Sequence, residues 1–241
     1  MKISIIVPAF NEEKLIARSL RRIKAATDAF SSLGWESEII VCDNNSTDRT
    51  AEKARAADAT VVFEPMNQIS RARNKGASEA TGGWLVFVDA DSYPNRELFA
   101  DLALVIQSCR YLGGGAVVKM DRAVGWTRLF IPLWNGISRL NRWAAGSFVF
   151  CEATVFRALG GFSQELYAAE EIEFSQRLKK LASSRNKKFI ILHRHFLVTS
   201  ARKAHLYSLR EHLDMLLQTL RHRGQNLKER ATCTLWYDGR R

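Results

Sequence analysis

Four short apolar runs, rich in β-branched residues, recur through the first hundred residues: 3–7, the EIIVC stretch inside 35–42, 60–63 and 84–88. Runs of this length and composition suit strands buried on both faces. Segments with helical spacing separate them. Residues 12–26 place Leu15, Ile16, Leu20 and Ile23 on one face. A second helix is predicted to begin near Arg49, with Ser46 or Thr47 placed to cap it. Residues 70–80 read as a third, ended by Thr81-Gly82-Gly83. The order β-α-β-α-β-α-β needs right-handed crossovers, and therefore an α/β fold with a largely parallel sheet between helices.

Ligands of such sheets bind beyond the carboxyl ends of the strands. Three polar clusters fall there: Asn11-Glu12-Glu13, residues 43–48, and Asp89-Ala90-Asp91. They are distant in sequence, and a parallel sheet brings them together. Carboxylates one residue apart at a strand end point to one side. Asp89 and Asp91 therefore suit a hard divalent cation, with substrate phosphates filling its remaining positions. The plain alternative for such a pair is a solvated turn.

That acidic rim stands against a basic whole. Lys and Arg number 36 against 25 Asp and Glu, for a net charge of +11. Such a balance suits phosphorylated substrates, nucleic acid or an anionic membrane surface. Arg71, Arg73 and Lys75 lie near the rim in sequence. A nucleotidyltransferase is disfavoured, because PAFNEE stands where a glycine-rich phosphate loop would. An acidic cleft without an RNA-binding motif disfavours a nucleic-acid binder. A hydrophobic fraction of 46% argues for a packed core rather than disorder. Four scattered cysteines without a CxxC pair suit a reduced, cytoplasmic compartment. No run approaches the ~20 apolar residues of a membrane span, and the first apolar run, broken by Pro8, is too short for a signal peptide.

Past residue 100 the alternation loosens. Residues 98–109 read as a helix, 113–115 as a flexible glycine turn, and 116–120 and 146–150 as strands. A short helix at 155–159 stops at Gly160-Gly161, and another spans 170–180. Residues 189–192 form a strand. An amphipathic helix at 206–220 carries Leu209, Leu213, Leu216, Leu217 and Leu220 on one side, and the rest reads as an irregular basic tail. The segment 124–143 combines Trp126, Phe130, Trp134 and Trp143 with Arg128, Arg139 and Arg142. It suits contact with an anionic membrane surface, an acceptor-site wall or an oligomer contact; oligomeric state is not legible.

Four motifs, in order, carry a resemblance: IIVPAFNEE at 5–13, VCDNNSTDRTAE at 41–52, NQISRARNKGASEATGGWLVFVDAD at 67–91 and GGFSQELYAAEEIEFSQRL at 160–178. The chain resembles the GT-A-fold glycosyltransferases of family 2, inverting enzymes that use nucleotide-sugar donors. The resemblance implies a Rossmann-like, mostly parallel sheet flanked by helices, with a smaller acceptor-side region and a C-terminal amphipathic helix. Residues 1–100 would bind the donor, 101–205 the acceptor and the base, and 206–241 would form the helix and tail. It implies a UDP- or GDP-sugar donor, Mn²⁺ or Mg²⁺, and an acceptor hydroxyl, in a cell-envelope or related pathway. Pro8, Ala9, Asn11 and Glu12 would line the nucleotide pocket, Asp43 would bond the base, and Asn67 and Arg73 would help hold the nucleotide. Asp89 would contact ribose or metal, and Asp91 the metal directly. His193 or His195, following a strand near the site, could complete that shell or be structural. Glu171 falls where the family carries its general base, usually the second member of a Glu-Asp pair. Here the pair is Glu170-Glu171, so the carboxylate is longer. The plain reading of Glu170, Glu171 and Glu173 is an acidic first helical turn. Residues 198–203 sit where related enzymes carry a mobile loop, with Arg202 and Lys203 either reaching the diphosphate or simply solvated. A Q-x-x-R-W signature is missing, so single addition is expected rather than processive synthesis.

Overall fold

The computed structural model describes residues 1–122, 125, 127–222 and 224–237. Eight strands form one sheet in the order β3-β2-β1-β4-β7-β6-β8-β5. The parallel half holds β1 (Lys2–Ala9), β2 (Glu36–Asp43), β3 (Thr60–Phe63) and β4 (Trp84–Val88). Its register runs from Lys2 opposite Glu36 to Ala9 opposite Asp43, so the polar clusters after β1 and β2 end level. The second half is mixed. β7 (Phe148–Glu152) lies antiparallel to β4 and to β6 (Tyr111–Met120). β8 (Lys188–Thr199) runs parallel to β6 and antiparallel to the short β5 (Ser92–Tyr93). Four of these seven pairings are parallel, and the antiparallel ones all fall beyond β4.

Helices cover both faces. They are α1 (Ile16–Ala26), α2 (Asp28–Ser31), α3 (Thr50–Arg55), α4 (Ile69–Ser78), α5 (Arg96–Gln107) and α6 (Thr127–Asn141). Then come α7 (Ala153–Ala158), α8 (Glu170–Ser184), α9 (Arg202–Leu206), α10 (Leu209–Arg221) and α11 (Thr234–Tyr237). Period-two alternation along β1 sends Ile3, Ile5 and Val7 into one core with Leu20, Ile23, Phe99 and Leu102. Ile6 faces the other core, with Phe87, Phe156, Phe162, Phe174 and Leu178. The α/β expectation holds, sheet and helices alike.

Three local expectations are corrected. Residues 113–115 form no turn but the first half of β6. A Cβ on Gly114 would lie 2.1 Å from the Ile190 carbonyl oxygen, and one on Gly113 2.3 Å from that of Phe150. These glycines let three strands close up, which is the other meaning a strand glycine carries. Second, α1 begins at Ile16 rather than near Glu12. The Glu12 amide donates to Thr50 Oγ1 at 2.7 Å and the Glu13 amide to Asp48 Oδ2 at 3.1 Å, so tertiary bonds hold this stretch as loop. Third, neither Ser46 nor Thr47 caps α3. Ser46 Oγ accepts from the Asn11 amide and the Thr47 amide donates to Asn11 Oδ1, locking Asn11 at a φ of 52°. The strand at the chain's far end is also longer than its apolar core implied. β8 continues past Leu192 through an irregularity opposite Ala116–Val118, so its polar His193-Arg194-His195 hid it. Trp126, Asp238 and the side chains of Lys203, Leu209, Leu213, Leu216, Leu220 and Trp236 lie outside the described residues. Among the described residues, no helix is long and apolar enough to cross a membrane.

Because strand backbones flank Gly114 on both sides, a methyl group there has nowhere to go. Gly114→Ala is expected to destabilise the fold by about 3 kcal/mol, read as a lower urea midpoint at unchanged m-value.

Candidate active site

The carboxyl end of the sheet opens into one cleft with two lobes that share Ile69, Asp89 and Asp91. The first lobe is lined by Pro8, Ala9, Phe10, Glu12, Asn44, Asn67 and Tyr237. The second is lined by Arg73, Met120, Trp134, Gly146, Tyr167, Glu170 and Glu171, among others. Asp89 and Asp91 sit in the tight turn from β4 to β5 rather than on a strand, and both face both lobes.

Arg73 organises the second lobe. α4 carries it under the sheet edge, where its side chain is 1% exposed. Nη1 meets Glu170 Oε1 at 2.5 Å. Nη2 donates to Asp89 Oδ1 at 3.0 Å and to the Gly146 carbonyl at 2.6 Å. The guanidinium lies 5.3 Å above the Phe162 ring. Burial alone would lower its pKa; Asp89, Glu170 and Glu171 outweigh burial and raise it. One cation thus serves three carboxylates, leaving an excess of negative charge. Both glutamates carry the imbalance. Burial raises Glu170 even against Arg73, and burial, then the neighbouring Glu170, pushes the Glu171 carboxyl from 4.5 up to about 8. Gly146 permits the crowding: a Cβ there would lie 3.3 Å from both Arg73 Nη2 and Glu171 Cδ.

A second ion pair ties the other side. Arg202, at the start of α9, puts Nη2 2.5 Å from Glu12 Oε1 and 3.9 Å from Asp91 Oδ2. It bridges the loop after β1 to the turn after β4. Asn44, which sequence reasoning passed over beside Asp43, pins the floor of the first lobe. Its Nδ2 donates to the carbonyls of Glu64 and Met66, and its Oδ1 accepts from the Gln68 amide. Asn67 Nδ2 donates to the Asn44 carbonyl at 3.0 Å. Tyr237 was missed too, because the tail shows no periodicity. Its hydroxyl accepts from the Ile69 amide at 3.2 Å, and its ring meets Tyr167 edge-on at 5.5 Å.

The structure therefore brings together Pro8, Ala9, Glu12, Asn67, Asp89, Asp91, Glu170 and Glu171 along one cleft. Five expected residues stand differently. Asn11 and Asp43 lie at the right strand ends, yet neither lines a lobe; they fasten loops, Asp43 accepting from the Ser46 amide at 3.2 Å. Arg73, expected to help hold the nucleotide, gives both terminal nitrogens to protein partners and lines the second lobe rather than the first. His193 is exposed on β8 with Nδ1 3.3 Å from the Ile191 carbonyl, and lines neither lobe. His195 pairs with Asp101 of α5 at 2.8 Å. The irregularity in β8 carries both rings away from the rim, so neither completes a metal shell beside Asp91. Among the described residues, no three His, Cys, Asp or Glu side chains group as a metal site.

Comparison with known proteins places these features. The family described as glycosyl transferase family 2 matches residues 4–158. An uncharacterised glycosyltransferase of Rickettsia typhi is 30% identical over 145 residues, which is 58% of this chain and 47% of the relative. The chain thus spans about half the length of that curated relative. A crystal structure of residues 1–349 of Staphylococcus aureus TarS matches with a TM-score of 0.62 at 25% identity, over 84% of this chain and 61% of that one. A mannosyltransferase from Pyrobaculum calidifontis, in complex with GDP-Man and Mn²⁺, shares the fold at a TM-score of 0.67 and 21% identity, over 83% of this chain and 56% of that one.

Removing the shared cation should be costly. Arg73→Met leaves buried Glu170 and partly buried Asp89 without their shared cation, and is expected to destabilise by about 3–5 kcal/mol at neutral pH. The deficit should shrink as pH falls toward 5, because the stranded carboxyls then take up protons. Urea unfolding across that pH range reads both effects.

Proposed function

Since the chain belongs to glycosyl transferase family 2, we propose that it moves a sugar from a nucleotide-diphosphate sugar to an acceptor hydroxyl with inversion at the anomeric carbon. The observation that carries this reading is the shared wall of the cleft. The two lobes meet at Asp89 and Asp91, and Glu171 lines the second lobe alone. The first lobe would hold the nucleotide, the shared wall the diphosphate, and the second lobe the acceptor. Residues 1–100 then supply the donor half and 101–205 the acceptor half, as the motifs imply.

The chain's own groups fit the chemistry. Pro8, Ala9, Asn44 and Asn67 shape a slot rigid enough to orient a base and ribose. Asp91 is buried and offers hard oxygen donors, which suits Mn²⁺ or Mg²⁺ with phosphate oxygens filling the shell. Asp89 adds a carboxylate from the same turn. When bound, such a cation neutralises charge on the departing diphosphate. Arg202 stands beside Asp91 to supplement it. Glu171 would take the acceptor hydroxyl's proton, and Glu170 would not, because Glu170 is held by Arg73. A base on the side opposite the leaving group gives in-line displacement, and hence inversion. A single addition is the simplest product of this arrangement. The reading extends to cell-envelope glycans, in line with the similarity to TarS.

A base must be deprotonated to act. With Glu171 raised to about 8, the rate at low substrate should climb as pH rises through about 8 and level off above it. Glu171→Gln should lower transfer by roughly 10²–10⁴-fold and flatten that limb, while leaving nucleotide affinity nearly unchanged. Full activity in this variant would remove Glu171 from the role. For the donor side, UDP or GDP with Mn²⁺ should raise Tm, and EDTA should abolish the shift. Asp91→Asn should lose the Mn²⁺-dependent part of it. A nucleotide response indifferent to both would remove the metal from the reading.

A further inference from the structure

α6 has two apolar faces, and only one is used. Its inner face docks on β6 through Ile131 and Trp134, both packed on the main core, and through buried Ser138. Asn135 fixes that docking, donating to the Val118 carbonyl at 2.8 Å and accepting from the Val118 amide at 3.0 Å. Away from this face, at i, i+4, i+8 and i+11, stand Leu129, Leu133, Ile137 and Leu140, exposed by 82%, 62%, 37% and 85%. That spacing makes one continuous stripe along the helix. Scattered surface leucines are ordinary; a four-residue stripe on one helix marks a contact surface.

Charge says what the stripe meets. Arg128 and Arg139 lie exposed along one edge of it, and Arg122 and Arg142 lie exposed at its two ends. Residues 119–142 hold five cations, Lys119 included, and a single acid, Asp121. Asp121 is turned to the protein, accepting from the Ala201 amide. An apolar stripe edged by arginine with no acid on the helix is the pattern of a helix lying in a lipid interface. The same helix lines the second lobe with Trp134.

We propose that α6 docks the protein on an anionic membrane surface, with Leu129, Leu133, Ile137 and Leu140 entering the interface and the arginines meeting lipid phosphates. This sets the second lobe next to the headgroups. The docking goes beyond the reading of the cleft as a sugar-transfer site and does not depend on it.

Flotation with phosphatidylcholine vesicles, with and without phosphatidylglycerol, at low and high salt, tests the proposal. The protein should float with the anionic vesicles only, and less at high salt. Leu133→Glu/Leu140→Glu should lower partitioning by roughly tenfold or more. Arg128→Glu/Arg139→Glu should lower it by about fivefold per arginine and weaken the salt response. Leu104→Glu, at another exposed leucine 61% accessible on α5, should change nothing. Urea midpoints matching the unmodified protein would show that every variant folds. Absence of binding to anionic vesicles, or binding indifferent to the leucine pair, would overturn the proposal. So would a stable dimer that Leu133→Glu/Leu140→Glu converts to monomer, since a second copy would then be the occupant of the stripe.

Discussion

One buried guanidinium holds the cleft together. Arg73 reaches three chain segments that sequence separates widely: the turn after β4 through Asp89, the loop before β7 through Gly146, and the first turn of α8 through Glu170. A charge this deep is tolerable only when paired with opposite charge, and here both terminal nitrogens meet carboxylates while Nε has no hydrogen-bond partner. The pairing is therefore a positioning device as much as a source of stability. It fixes where the parallel half of the sheet meets the mixed half, and the cleft runs along that seam.

The same accounting resolves the contrast between a basic chain and an acidic rim. Cations meet the rim from fixed places, Arg73 beneath it and Arg202 across it. Neither is a loose surface lysine. Arg202 at 3.9 Å from Asp91 neutralises only part of that carboxylate's charge, so the wall between the lobes keeps a negative potential. A divalent cation or a proton is what such a wall attracts. The surplus positive charge lies elsewhere, much of it around α6, where it serves surface electrostatics rather than the cleft.

How much of this was legible depends on whether the signal was local. The strands of the parallel half were, because continuous apolar runs admit few alternatives, and their order fixed which ends converge. The DxD turn was found by its chemistry, and the Glu170-Glu171 pair through the family resemblance, since its residues alone read as an acidic first turn. What escaped was tertiary. Residues 113–115 looked like a turn because glycine signals one by default, and only the clash at Ile190 and Phe150 shows them as a close-packed strand. Arg73 looked like a ligand-facing cation, since nothing local announces a buried partner set. Asn44 and Tyr237 act through contacts with residues 20 or more positions away, which no short window contains. His193 misled in the opposite sense. A histidine after a strand suggests a metal shell, yet a register irregularity turned it outward.

The division of labour between the two glutamates follows from helix geometry. Consecutive helical residues point about 100° apart, so Glu170 and Glu171 approach Arg73 differently, Glu170 by direct contact and Glu171 through its charge. Ala169, just before α8, takes a left-handed φ of 61°, an uncommon state that costs an alanine about 1–2 kcal/mol. That bend sets the phase of the first turn. With the phase set, Glu170 lands on Arg73, while Glu171 lines the second lobe and shares that cation's field without contacting it as closely. A shorter aspartate at 171 would draw the carboxyl back toward the helix N-terminus, whose dipole favours the charged form. The longer arm carries it instead into the crowded space by Gly146, where desolvation and Glu170 both oppose ionisation. The raised pKa of Glu171 thus follows from burial first and from the charge of Glu170 second, both of which the longer arm and the helix phase bring to bear.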